Sequence, residues 1–333
     1  MRSRVLPRTP DAADDDPDGA VVPVHRATAP SVAGTARVVP VASALVPAQR
    51  AAPEPAFGLE QVLAAARAAA APLGLSPASV RAARVVQVVS TAVLEVDGLA
   101  VKVYPAGSDA VRLSAQAAAL DAAASLWVRP VAPPVVTRHG VVVGYPWVPA
   151  GAPVGWPEVG SLLRSWHAAA VPTDELPAWT PLRRLPGQVA AYAALPAADP
   201  GLVRVALAAR ERLLTEVSGL SSGLGVGAIH GDVSPSNVLR RDGRPVLIDS
   251  DFVAVGPKEY DLVPAAQRRE RGELDEAEYL DFCAAYGYDV RSWPGLGLVE
   301  EICGLGAVTF RVWCAAQRGE DVSWLGTALS RYV

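Results

Sequence analysis

The stretch IHGDVSPSNVLRRDGRPVLIDSDFVAVGPKEYDLVP, Ile229 to Pro264, decides how the rest of this chain is read. Within it fall His230, Asp232, Asn237, Asp249, Asp251 and Asp261. A loop, HGDVSPSN, runs into the apolar pair Val238-Leu239. A turn over Arg240 to Arg244 then holds Asp242-Gly243, and Val246-Leu247-Ile248 follows. Asp-Gly between two apolar runs is the composition of a tight hairpin. The hairpin places one carboxylate, Asp232, ahead of its first strand and another, Asp249, directly after its second. Folded back, the strand ends bring Asn237 beside Asp249, and two such hard oxygen donors suit Mg²⁺. Asp232, upstream of Asn237, is left free to take a proton.

The pattern H-G-D-x-x-x-x-N, then an apolar residue with Asp-x-Asp, then G-P-x-x-x-D-L, resembles the aminoglycoside phosphotransferase and choline kinase family. That family is the small-molecule branch of the protein-kinase-like fold. The resemblance implies that Asp232 is the catalytic base and that Asn237 and Asp249 hold magnesium. It makes Asp251 an accompanying carboxylate, on the metal or behind it, and Asp261 an acceptor of hydrogen bonds from the catalytic loop. A lone His-Gly-Asp would be explained by a hairpin with solvated acids in its turns. Three sub-motifs in this order and spacing are much harder to produce by accident. Gly231 stands where protein kinases carry the Arg that reads a phosphorylated activation loop, and no APE-like segment follows. The implied acceptor is therefore a small molecule.

Composition agrees with such a protein. The 333 residues suffice for one large domain or two lobes. Thirty basic against 34 acidic side chains give a net charge of −4, without the basic face that nucleic-acid binding needs. The three cysteines, Cys283, Cys303 and Cys314, are widely spaced and read as reduced thiols of a cytoplasmic protein. No apolar run reaches the length of a membrane span, and the first residues lack the apolar region of a secretory signal. No oligomeric state is legible.

Residues 1–55, rich in Ala, Pro, Val and Asp without sustained period, are expected to form a disordered tail. A helix is predicted from Phe57 to Leu75. Strand-like runs follow at Arg84 to Val89, Val93 to Val96 and Leu99 to Tyr104, the last two joined by Asp97-Gly98. Lys102 lies between Val101 and Val103 and so faces the opposite side of its strand from both. The resemblance makes it the lysine that holds the α- and β-phosphates. Where kinases carry a glycine-rich cover, this chain has Ser90-Thr91-Ala92, whose backbone N–H groups and hydroxyls could meet phosphate oxygens. An Ala-rich helix is predicted from Asp109 to Leu126, with Ser108 as its candidate cap. In the family this helix supplies a glutamate to the strand lysine. The matching residue here is Gln116, a departure that gives up the charge-assisted bond.

Val135 to Arg138 and Val141 to Val148 complete five strands. Tyr145-Pro146-Trp147-Val148-Pro149 falls at the inter-lobe hinge, so Trp147 and Val148 are assigned to the nucleotide's base. Helices are predicted after Pro157, over Leu202 to Val217, near Glu273 to Tyr286, and over Leu298 to Gln317. His167 reads as a packed or capping histidine. Gly223-x-Gly225-x-Gly227 follows a helix, the reverse of a dinucleotide loop's order, and reads as a connector. The acids Glu273, Asp275, Glu276, Glu278 and Asp281 read as a solvated helix face. The alternative is an acceptor pocket for a cation, aided by Glu300, Glu301, Trp293 and Trp313.

By this resemblance the fold is α+β and two-lobed: residues 56–148 form a nucleotide-binding lobe with a five-stranded antiparallel sheet, and 149–333 a mainly helical lobe. The implied reaction moves the γ-phosphoryl of ATP, with Mg²⁺, to a hydroxyl of an aminoglycoside, a choline-like amine, an amino alcohol or a sugar. The competing reading is a catalytically degraded kinase kept as a nucleotide-binding or scaffold module, suggested by Gln116 and the glycine-free loop.

Overall fold

A computed structural model describes residues 36–37, 58–149 and 151–333. The tail expected over 1–55 lies outside them, except that β1 (Ala36–Arg37) pairs antiparallel with β7 (Ser221–Ser222). The smaller lobe opens with α1 (Leu59–Ala68), shorter than predicted because the chain leaves it for a 3₁₀ turn and the left-handed Gly74. A five-residue helix that periodicity could not reveal, α2 (Pro77–Arg81), is capped by Ser76.

The five expected strands are β2 (Arg84–Val88), β3 (Ala92–Val96), β4 (Leu99–Tyr104), β5 (Val135–Thr137) and β6 (Gly140–Pro146). They form one antiparallel sheet in the order β2-β3-β4-β6-β5. Alternation along β4 sorts its side chains as the period of two demands. Val101 and Val103 are buried with Val62, Ala65 and Ala66 of α1. Lys102 and Tyr104 face the other way. There α3 (Ala110–Leu120) covers Tyr104, Val141 and Val143 through Ala110 and Leu113. The cap of α3 is Asp109 and not Ser108: its carboxylate accepts the Arg112 N–H at 2.9 Å.

The larger lobe is built from α4 (Trp156–Ala168), α5 (Leu185–Ala193), α6 (Pro200–Val217), α7 (Val263–Glu270), α8 (Glu276–Tyr286), α9 (Leu296–Arg318) and α10 (Leu325–Leu329). The predicted stripe Val159, Leu162, Leu163 and Trp166 of α4 is buried in one core with Phe282 of α8, Leu213 of α6 and Val299 of α9. Helices α4 and α8 approach closely because residue 160 is glycine. A Cβ there would lie 2.7 Å from the Phe282 carbonyl oxygen.

Two antiparallel pairs set into this lobe carry the motif. β9 (Val238–Arg241) and β10 (Arg244–Leu247) form the expected hairpin, turned by Asp242 and Gly243 at φ 53° and 76°. β8 (Val226–Ile229) pairs with β11 (Ala254–Pro257), placing Ile229 opposite Ala254. The segments 230–237 and 248–253 therefore leave their strands at the same end, and the Ile248 N–H donates to the Asn237 carbonyl at 3.0 Å.

Candidate active site

The loop after β8 hangs from one buried carboxylate. Asp261, 1 % exposed, accepts the backbone N–H of His230 at 2.6 Å and of Gly231 at 2.8 Å. His167 bridges the same carboxylate at 3.0 Å and the Tyr286 hydroxyl at 2.8 Å. The packed-histidine reading of His167 thus holds, with the added task of steadying Asp261. His230 is fully buried and stacks on Trp127 with ring centroids 5.2 Å apart. Its Nε2–H donates to the Ile248 carbonyl at 3.0 Å, and its Nδ1 accepts the Asp232 N–H at 3.2 Å. One ring therefore fixes both the start of the loop and the residue before Asp249.

Gly231 is required twice over. Its φ is 81°, and an added Cβ would sit 2.4 Å from the Phe252 carbonyl oxygen. Gly231→Ala is expected to destabilise the chain by about 2 kcal/mol, combining left-handed strain with overpacking. Thermal melting of the variant checks it, and an unchanged melting temperature would mean the two segments part without cost.

Asp232 stands exposed at the mouth of this loop. Asn237 Nδ2 donates to its carbonyl at 2.7 Å and to its Oδ2 at 3.3 Å, so the amide orients the carboxylate. Although its outer side meets solvent, the protein crowding its inner side is the first cause raising its pKa above the usual value. His230 opposes this, and the charges of Asp249 and Asp251 add to it.

Lys102 comes in from β4, 8 % exposed, with its Nζ 2.7 Å from Asp249 Oδ1 and 2.8 Å from Asp251 Oδ2. The Tyr104 hydroxyl donates to the other Asp251 oxygen at 2.7 Å. Burial alone would lower the lysine's pKa, but the charges of Asp251 and Asp249, and the bonds to both, raise it above its ordinary value. Asp251 is pushed upward by burial first, against Lys102 and with Asp249. Asp249 itself holds a left-handed backbone, φ 63°, a conformation uncommon outside glycine that aims its side chain at the lysine.

Here the expected partner of Lys102 is corrected. Gln116 is buried but does not reach the ammonium; its Nε2 donates to the Val253 carbonyl at 2.9 Å and the Asp251 carbonyl at 3.3 Å. The place of a helix carboxylate beside Lys102 is taken by Asp251 and Asp249, and an amide serves to bind the backbone of that segment. The hinge assignment is also altered. The Trp147 N–H donates to Gly98 O at 2.7 Å, and its ring lies under the Arg84 guanidinium, so that donor is unavailable to a base. Val148 is buried beside Val128 and Val246, with Leu239 and Ile248 against the same cluster. Sequence reading named Val148 but not the apolar cluster around it, although Leu239 and Ile248 flank the motif residues. Ser90 and Thr91 lie in the turn between β2 and β3, closed by Val89 N–H to Thr91 O at 2.9 Å.

The residues fit a divalent ion bound together with phosphates. Among the described residues no donor reaches the Asn237 amide oxygen or Asp249 Oδ2, a hard pair of the kind Mg²⁺ accepts when phosphates and waters complete its shell. Among the described residues no group of three His, Cys, Asp or Glu gathers to hold a metal unaided. Several residues suggested for a cation pocket are engaged elsewhere. Glu273 pairs with Arg271, Glu276 with Arg269 and Arg291, and Glu301 with Arg212. Trp293 is buried, its indole N–H donating to Ser221 O.

Comparison with known proteins agrees with the fold. Amicoumacin kinase hAmiN, solved with AMP-PNP, Ca²⁺ and Ami, superposes with a TM-score of 0.56 at 12 % identity, covering 83 % of this chain and 92 % of that one. Aminoglycoside phosphotransferase APH(3'')-Id from Streptomyces rimosus superposes with a TM-score of 0.50 at 16 % identity, covering 75 % and 99 %. No curated protein matches in sequence. Two lobes joined across a site of this kind define a kinase-like phosphotransferase fold. Residues 74–298 match the model of the phosphotransferase enzyme family (APH), and the chain belongs to that family. None of the described helices is long and apolar enough to cross a membrane.

Proposed function

We propose that the chain transfers the γ-phosphoryl of ATP to a hydroxyl of a small molecule. The observation that carries this is the gathering of Asp232, Asn237, Asp249 and Lys102 at one end of the β8–β11 and β9–β10 pairs. Asp232 accepts or orients the proton of the incoming hydroxyl, held in aim by Asn237 and by its backbone bond to His230. Lys102 has three N–H donors, of which two lie on carboxylates, so one remains for an α- or β-phosphate oxygen. Ser90 and Thr91 would cover the phosphates from the β2–β3 turn. The purine would rest on Leu239 and Ile248, beside Val148. Magnesium, held by Asn237 and Asp249, would neutralise charge on the phosphates. Binding of AMP-PNP and Ca²⁺ by amicoumacin kinase supports nucleotide and divalent metal use here. The degraded-kinase reading loses its main support, because Lys102 has carboxylate partners without a helix glutamate.

A phosphoryl-transfer screen over pooled hydroxyl compounds, reading ADP release, tests the proposal. ADP release above the water background with at least one pool is the expected result. Asp249→Ala is expected to abolish thermal stabilisation by ATP plus Mg²⁺, a shift of about 2.7 kcal/mol at a hundredfold excess over Kd in the parent. Full stabilisation of that variant would remove Asp249 from the metal site.

A further inference from the structure

Asp251 turns its carboxylate to Lys102 and Tyr104, and its carbonyl to α3 and the loop before α5. Two guanidiniums meet at that one neutral oxygen: Arg112 Nη2 donates at 3.0 Å and Arg183 Nη2 at 3.2 Å. The two cationic nitrogens are thus within about 6 Å of each other. Among the described residues neither guanidinium forms a salt bridge. Each has five N–H donors and, among the described residues, uses one, and Arg112 Nε is buried with no hydrogen-bond partner among them. Burial lowers the Arg112 pKa, while the charges of Asp251 and Asp109 work the other way.

The arrangement is built and not incidental. Arg183 follows Leu182, whose backbone is left-handed at φ 56° and whose carbonyl accepts Arg210 Nε at 3.2 Å. Arg210 is buried, so the loop presenting Arg183 is tied to α6. The Arg183 guanidinium lies over the Phe252 ring, 5.1 Å from its centroid, and Phe252 packs directly on Gly231, the residue before Asp232. The pair therefore borders the catalytic loop, with both side chains half-exposed. A planar guanidinium fork matches the geometry of carboxylate and phosphate oxygens.

We infer that Arg112 and Arg183 form an oxyanion subsite that takes a phosphate or carboxylate group carried by the acceptor. The inference rests on the phosphotransfer reading and narrows it: the acceptor is a hydroxyl compound bearing negative charge, and a polycationic acceptor is repelled. Two limbs test it, the first needing no transfer. With AMP-PNP and Mg²⁺ saturating, inorganic phosphate is titrated as a probe and the melting temperature followed. A saturable rise is expected, lost in Arg183→Gln and Arg112→Gln, while both variants keep the AMP-PNP–Mg²⁺ shift as proof of folding. In the second limb, polyols are compared with the same polyols carrying a phosphate or carboxylate. At least tenfold higher kcat/KM for the charged members is expected, with Arg183→Gln raising KM for them at least tenfold and moving kcat less. Arg183→Lys should restore only part, because it keeps the charge and loses the fork. A nucleotide shift without any arginine-dependent phosphate shift overturns the subsite and leaves the kinase reading standing. A phosphate shift that needs the arginines, joined to equal or better turnover of uncharged or cationic acceptors, overturns its assignment to the acceptor.

Discussion

Asp232→Asn is expected to lower the transfer rate by about three orders of magnitude, the range a positioned general base supplies, while leaving ATP–Mg²⁺ stabilisation within a few-fold. The substitution is nearly isosteric. It keeps the backbone N–H on His230 Nδ1 and the carbonyl that accepts Asn237, so the loop should hold its shape. What is lost is the proton acceptor. Because protein crowding and the charges of Asp249 and Asp251 raise its pKa in the free protein, the acid limb of the parent's kcat/KM profile should lie above the usual carboxylate range. The sign follows from the role: Asp232 works deprotonated, so rate climbs as pH rises through that raised value and then levels. The residual rate of the Asn variant should lack this limb. Parent-like turnover in Asp232→Asn, or an identical acid limb, would assign the proton to another group.

The residues around Asp232 were legible because they are local. Asp242-Gly243 fixes a hairpin by backbone chemistry alone, and its register delivers Asn237 and Asp249 to one end. Lys102 was legible from the strand period, since valines on either side leave it only the opposite face. What failed depended on how separate elements meet. The facing of Gln116 is set by where the segment 251–253 lies against α3, and that lie follows from β8 pairing with β11 across the intervening hairpin. Nothing in the helix pattern distinguishes an amide reaching a lysine from one reaching two carbonyls. Trp147 sits where a hinge residue is expected, but its N–H is taken by the β3–β4 turn, a bond between distant stretches. Arg112 and Arg183 are 71 positions apart and look like ordinary surface charges until Asp251 joins them.

The corrected surroundings of Lys102 set the final expectation. Lys102→Ala removes the cation between Asp249 and Asp251, leaving two carboxylates close together, one of them buried enough to be shifted upward already. It also removes the phosphate donor. Charge-assisted bonds are worth about 1.5–3 kcal/mol each, so kcat/KM for ATP should fall by about two orders of magnitude or more. Gln116→Ala acts elsewhere. It takes a donor from the buried Val253 carbonyl and from Asp251 O, at a cost of about 1–3 kcal/mol in stability, while ATP usage should change only a few-fold. Gln116→Glu, attractive on the idea of a helix glutamate, should do worse than Ala. It would aim a buried carboxylate at two carbonyl oxygens, with repulsion in place of donation. Asp251→Asn keeps the size and one acceptor oxygen for Lys102 but removes a charge, so its effect on ATP usage should fall between those of Lys102→Ala and Gln116→Ala. Melting temperature and ATP kinetics measured on all four variants separate the two kinds of loss. If Gln116→Glu improves ATP usage, the side chain swings to Lys102 when nucleotide binds. The lysine would then answer to α3 after all.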